Sequence, residues 1–159
     1  MKQAKIFRKV LNNIYSFKLV DYPETKNYSE LIKEEKLKGY RQVIINSEIM
    51  IKIITNAMQK KDIILKSITL NDAVDQYFRE EIDMKVKQCR DNPLVLSELL
   101  TNLAWTSEDG SIDIEKVAFA YLTNDQFHYI TVICNGVLSG TEIDYFYNNY
   151  LEAVLKRSF

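Results

Sequence analysis

An α+β fold is predicted for this chain of 159 residues, and three observations predict it. Residues 116–134, KVAFAYL–TNDQ–FHYITVIC, carry β-branched and aromatic residues on both sides of a polar turn, the composition of a half-buried hairpin. Residues 141–158, TEIDYFYNNYLEAVLKRS, change to helical spacing. Isoleucine is concentrated at positions 44, 45, 49, 51, 53, 54, 63, 64 and 68, and its stiff χ1 favours sheet. The expected architecture is a single domain over residues 1–159. It is an antiparallel sheet of about five strands with helices packed on it. The expected order is α-β-β-β-α-β-β-α, with an extra short helix after the first.

Taken in order, residues 2–18 read as a helix. Phe7, Val10, Leu11, Ile14 and Phe17 recur at three and four, and Lys2, Lys5, Lys9, Asn12, Asn13 and Ser16 fall on the other side. Residues 20–28 form a loop broken by Pro23. The polar run from Ser29 is a short helix ending at Gly39, a C′ residue suited to the left-handed conformation. Residues 40–60 also fit a helix. Isoleucine density and polar breaks at Asn46-Ser47 and at residues 59–62 favour three short strands near 41–46, 49–55 and 62–69.

A long helical region follows, capped by Asn71 or Thr69, with Val74, Tyr77, Phe78, Ile82, Val86 and Cys89 as its stripe. Asn92-Pro93 interrupts it, with Asn92 as cap and Pro93 at the first helical position. The second segment continues to about Trp105, and its leucines cover more than one face. Residues 106–113 turn into a hairpin, with strands 114–122 and 127–134 around Thr123–Gln126, closed by Asn135-Gly136. Thr141 and Asp144 form a capping pattern before a last helix that buries Ile143, Phe146, Tyr147, Tyr150, Leu151, Val154 and Leu155.

Composition bounds the function. The chain is 47% hydrophobic and 27% charged with net charge −1, and no apolar run approaches the roughly 20 residues of a membrane span. The N-terminus lacks the apolar centre of a signal peptide, and two distant cysteines, Cys89 and Cys134, fit reduced thiols in the cytoplasm. Residues 1–70 hold 14 Lys/Arg against 7 Asp/Glu, and residues 71–159 hold 7 against 15. The two halves are expected to neutralise each other across the fold or a dimer.

No catalytic, metal or cofactor site is expected. The one histidine, His128, has no nucleophile nearby in the sequence. Residues 105–116 resemble a calcium loop only superficially: Trp105 stands where the first ligand belongs and Lys116 where the bidentate Glu belongs. Two cysteines and one histidine make no zinc spacing, and four glycines make no phosphate loop. Glu80, Glu81 and Asp83 read as a solvated helix face. Nucleic-acid binding would rest on Lys2, Lys5, Arg8, Lys9, Lys33, Lys36, Lys38 and Arg41, in a chain that is not basic overall.

The element order resembles the small type III secretion chaperone fold, the Tir-chaperone class, and its non-secretory cytosolic look-alikes. The resemblance is best over roughly residues 94–157, where a leucine-rich helix ends in NLAW and SEDGS, the hairpin and the closing helix follow. Residues 20–40 are longer than the family's usual link, and its acidic balance is missing. The resemblance implies a non-enzymatic, cytoplasmic homodimer that holds an extended segment of a protein partner. Its partner surface would be Phe7, Val10 and Ile14 with Ile49, Ile51 and Ile53. Its dimer surface would be Leu96, Leu99, Leu100 and Leu103 with Phe119, Tyr121 and Tyr129. The alternatives are an inhibitor or immunity-type protein docking on a folded partner, and a nucleic-acid binder using the basic N-terminal half.

Overall fold

The computed structural model describes residues 1–159. It is α+β: one antiparallel sheet of seven strands carries helices on one face and a single helix on the other. The strands are β1 (Lys2–Leu11), β2 (Ile14–Asp21), β3 (Arg41–Gln42), β4 (Ile63–Leu70), β5 (Ile114–Thr123), β6 (Gln126–Ile133) and β7 (Val137–Gly140). They lie in the order β2-β1-β7-β6-β5-β4, with β3 pairing beside β1. The helices are α1 (Tyr28–Leu37), α2 (Ser47–Met58), α3 (Gln76–Gln88), α4 (Pro93–Glu108) and a closing rod. That rod is α5 (Ile143–Phe146), a π-turn (Tyr147–Leu151) and α6 (Glu152–Ser158). No helix is long and apolar enough to cross a membrane.

Two expected elements are of the other kind. The first segment is a β-hairpin, not a helix: Asn12 and Asn13 hold φ of 52° and 63°, the left-handed pair that a two-residue type I′ turn demands. In this hairpin Ala4 and Ile6 face the main core while Lys5 and Phe7 face α1, so buried residues alternate between faces. The segment read as a strand over 49–55 is α2. A strand would put Lys52 on the same face as Met50 and Ile54, whereas a helix buries Ile49, Met50, Ile53, Ile54 and Ala57 together and leaves Lys52 in solvent. The expected strand near 41–46 is ordered as two ladder residues plus an extension. The Val43 N–H donates to the Ile6 carbonyl at 3.1 Å, and the Ile45 N–H to the Cys134 carbonyl at 2.8 Å. The count is therefore seven strands rather than five: β1, β2 and β7 are strands the sequence did not announce, and the strand expected over 49–55 is absent.

The remaining punctuation follows side-chain chemistry. Asn27, Asn46 and Asn92 cap α1, α2 and α4, and Pro93 opens α4. Asp75 caps α3, in place of Asn71 or Thr69. Asn71 instead accepts the Asp113 N–H at 2.9 Å and ties the end of β4 to the start of β5. The expected Thr141 cap is not made, because Thr141 meets His128 Nδ1 at 3.2 Å. Asn124 and Asp125 (φ 49° and 62°) repeat the type I′ turn between β5 and β6. Gly136 (φ 81°) sits where a Cβ would come 2.2 Å from the Val43 carbonyl oxygen, so only glycine lets the β6–β7 turn meet that segment.

The main core fills the helix-bearing face of the sheet. Val117, Phe119 and Tyr121 of β5, Ile130 and Val132 of β6, and Leu138 of β7 pack against buried residues of α2, α3, α4 and the closing rod. All seven residues expected to be buried in the last helix are buried. On the opposite face, α1 covers only the β1 end, where Leu31 and Phe7 are fully buried and the Lys5 ammonium lies near both the Phe7 ring and the Tyr28 ring of α1. The rest of that face, along β4, β5 and β6, carries no helix, and Phe127 and Tyr129 stand there 59% and 58% exposed above the small Ala118 and Ala120.

Candidate interaction surface

The far end of the first hairpin is the most unusual surface of the molecule. β1 is paired on its inner side by β7 through Lys2–Lys5 and by β3 at Phe7 and Arg8. Beyond Arg8 its only strand neighbour is β2, so residues 9–16 project as a two-stranded ribbon. Cross-strand pairing sets Val10 against Tyr15 and Leu11 against Ile14. These four side chains are 53%, 38%, 63% and 70% exposed, in that order. Behind the tip, β2 has no strand on its outer side, so its outer backbone groups present an edge that a further strand can join.

The base of the ribbon is held rigid. Arg8 lies over the Tyr15 ring at 5.5 Å and the Phe159 ring at 4.6 Å, and Phe159 in turn packs on Phe17. On the other face Lys18 binds Glu35 of α1 at 2.6 Å and covers the Tyr40 ring at 3.8 Å. Glu35 is almost fully buried. Burial pushes its carboxyl up, but the hydrogen bonds and charges of Lys18 and Lys38 outweigh that and hold it below the usual range.

Lys5 is the other buried charge of this region. Its ammonium donates to the Asn135 carbonyl and lies 5.7 Å and 5.4 Å from the Phe7 and Tyr28 rings, with no carboxylate beside it. Burial lowers its pKa to about 8.

Of the residues expected to meet a partner, the structure exposes Val10 and Ile14 and brings them to one hairpin tip. Phe7 lies beneath α1, Ile49 and Ile53 are inside the core on α2, and Ile51 is half-buried. Those three isoleucines therefore lie on a helix and not on a strand beside the first segment. Of the residues expected at a dimer surface, Leu99, Leu103, Phe119 and Tyr121 are fully buried within one chain, and Leu96 and Leu100 are half-buried. Tyr129 alone is exposed, on the uncovered sheet face. Leu11 and Tyr15 belong to the tip and were missed. The signal was there: Asn-Asn between apolar pairs, in VLNNIY, is hairpin chemistry, but the helical spacing of the same residues masked it.

Elsewhere, His128 and Tyr145 line an open cleft of about 430 Å³ with Glu142 and the β5–β6 turn. Tyr121 donates to the Glu142 carbonyl at 2.7 Å, and its ring stacks on Tyr145 at 5.7 Å. Burial pushes the Tyr121 hydroxyl well above its ordinary value, as it does that of Tyr147 in the π-turn. Residues 105–116 are the end of α4, a turn at Gly110 (φ 79°) and the start of β5. No three His, Cys, Asp or Glu side chains are grouped to hold a metal ion.

The class these features define is an α+β protein with a half-open antiparallel sheet and a projecting apolar hairpin. No protein-family model matches the chain, and no curated protein or solved structure is similar to it.

Proposed function

We propose that this is a non-enzymatic binding protein that captures an extended segment of a protein partner along β2. The observation that carries the reading is the exposed quartet Val10, Leu11, Ile14 and Tyr15 at the end of an edge hairpin. Four large apolar side chains on a two-residue turn cost solubility and contribute nothing to the chain's own core, so a partner is their physical rationale. Strand addition supplies main-chain hydrogen bonds, and the tip supplies apolar contact for alternate side chains of the guest. This reading retains the chaperone-like role that the expected layout implied, with a hairpin in place of the expected first helix.

The experiment is a pull-down from the native host followed by hydrogen exchange on the purified complex. The expected result is new amide protection concentrated in residues 14–21, and loss of the complex with the double variant L11D/I14K. Protection confined to the helix-bearing face, or a complex that the double variant keeps intact, overturns the reading. The variant itself should unfold within about 0.5 kcal/mol of wild type, because both side chains are exposed.

A further inference from the structure

The free edge of β2 runs between two walls of different chemistry. In a two-residue hairpin the pair flanking the turn, here Leu11 and Ile14, exchanges both hydrogen bonds, and every second pair after it does the same. Lys9 with Ser16, Phe7 with Lys18 and Lys5 with Val20 are therefore bonded pairs, in step with the Tyr22 N–H that donates to the Gln3 carbonyl at 2.9 Å. Tyr15, Phe17 and Leu19 turn their backbone groups outward, and no loop or helix backbone bonds to them. Their side chains stand on the helix-bearing face, because Leu19 pairs with Ile6 of the main core and alternate residues share its side. Phe17 and Leu19 pack against that core, and Phe17 meets the Phe159 ring at 5.9 Å, so this wall is apolar.

The other wall is cationic. Lys18 pairs with Phe7 and Lys9 with Ser16, which puts both lysines on the α1 side of the ribbon. Their ammoniums stand 3.8 Å and 5.4 Å from the Tyr40 ring, and that of Lys9 also reaches the Lys38 carbonyl at 3.5 Å. Lys18 and Lys38 share Glu35, at 2.6 Å and 3.3 Å, and Lys9 forms no ion pair. Three ammoniums against one carboxylate leave a surplus of two positive charges around Tyr40. The Lys18 side chain is 32% exposed beside the free edge. On an antiparallel guest the residue opposite Lys18 stands in a non-hydrogen-bonded pair, the closer of the two spacings.

We propose that the segment captured along β2 is an amphipathic strand, apolar at alternate positions and acidic at the positions between. This rests on the reading of β2 as the capturing edge and names the chemistry of its guest. The guest's side chains alternate between the two walls. Those on the helix-bearing side meet Tyr15, Phe17 and Leu19, and those on the α1 side enter the field of the surplus ammoniums, where a carboxylate is favoured and a second cation is repelled.

The test uses four labelled octapeptides and fluorescence anisotropy at fixed ionic strength, with hydrogen exchange on each complex. Three alternate valine with glutamate, glutamine or lysine, and the fourth alternates serine with glutamate. A strict alternation presents the same two faces whichever way the peptide runs. The valine–glutamate peptide is expected to bind about tenfold tighter than the valine–lysine peptide, with the glutamine peptide between them, and the serine peptide is expected not to bind. Raising the ionic strength should shrink the preference for glutamate over lysine. K18Q removes a surplus charge and should lower that preference about threefold, while E35Q adds one and should raise it about threefold. Damage to folding would weaken all peptides alike and would not move the preference in opposite directions. Equal or tighter binding of the lysine peptide, with residues 14–21 protected, overturns the acidic preference and leaves capture along β2 standing. Equal binding of the serine peptide overturns the apolar wall. Binding by none of the four, or protection of residues 14–21 that rises with protein concentration in the absence of peptide, overturns the proposal, the latter by assigning the edge to a second copy.

Discussion

Lys5 shows how one residue sets a pH dependence. Its ammonium is buried against two rings and a carbonyl with no counter-charge, so folding disfavours the protonated form. The native pKa of about 8 lies below the unfolded value of 10.5. Between those values the unfolded chain holds a proton that the native chain has released, so stability rises with pH from about 8 toward 10. The penalty lifted over that window is on the order of 3 kcal/mol, from the 2.5-unit difference at about 1.4 kcal/mol per unit. Above pH 10 the sign reverses. Tyr121 and Tyr147 keep their protons in the native state while unfolded tyrosines ionise, so stability then falls. Urea unfolding across pH 7–11 should therefore peak near pH 10. K5M should be at least as stable as wild type at pH 7 and flat between 8 and 10; a variant that keeps the rise would place its origin elsewhere.

At the scale of elements, the asparagines decide most boundaries. Three of them cap helices: the sequence marks Asn92 as a cap beside Pro93 and Asn46 as a turn residue, while Asn27 falls in the loop over 20–28. Two more, Asn12 and Asn13, turn the first hairpin, and their left-handed backbone is the strongest constraint in the ribbon. N13G is expected to keep the hairpin, because Asn-Gly is a preferred type I′ pair. N13V is expected to cost about 1–3 kcal/mol, since a β-branched residue at positive φ is strained. Thermal melts of the two variants measure the difference, and equal melting would mean that the turn is not of this type. The helix α2 makes the complementary point. Isoleucine gives up only a few tenths of a kcal/mol by sitting in a helix, and full burial of each such side chain stabilises by roughly 1.5–3 kcal/mol. Packing therefore outweighs propensity, and the helix is the one periodicity that buries Ile49, Met50, Ile53 and Ile54 at once.

Across the whole molecule the two sheet faces differ. One is sealed by α2, α3, α4 and the closing rod, and the other is covered by α1 at one end only. Phe127 and Tyr129 stand exposed on the bare part, and they would form the contact of the homodimer expected from the sequence. Light scattering at micromolar concentration is expected to give twice the chain mass for wild type and the chain mass for the F127D/Y129D variant. A wild-type monomer would remove the dimer while leaving partner capture along β2 untouched.

By itself the sequence determined three features of the second half of the fold, though not β7: the broken helix at Asn92-Pro93, the hairpin of β5 and β6, and the buried stripe from Ile143 to Leu155. There local propensity, turn chemistry and periodicity agree. The resemblance put Val10 and Ile14 on a partner-facing helix, whereas the structure exposes both on the tip of a hairpin. Only the tertiary structure decided residues 2–21 and 41–58. Apolar residues spaced at three and four satisfy a helix face and, with a turn between them, two strands as well. Which wins depends on what lies above and below, and that is set by α1 over Phe7 and by the sheet beneath α2, neither of which is local in the chain. The pairing of Arg8 with Arg41 has the same origin, because residues 33 positions apart meet only once β3 has docked on β1.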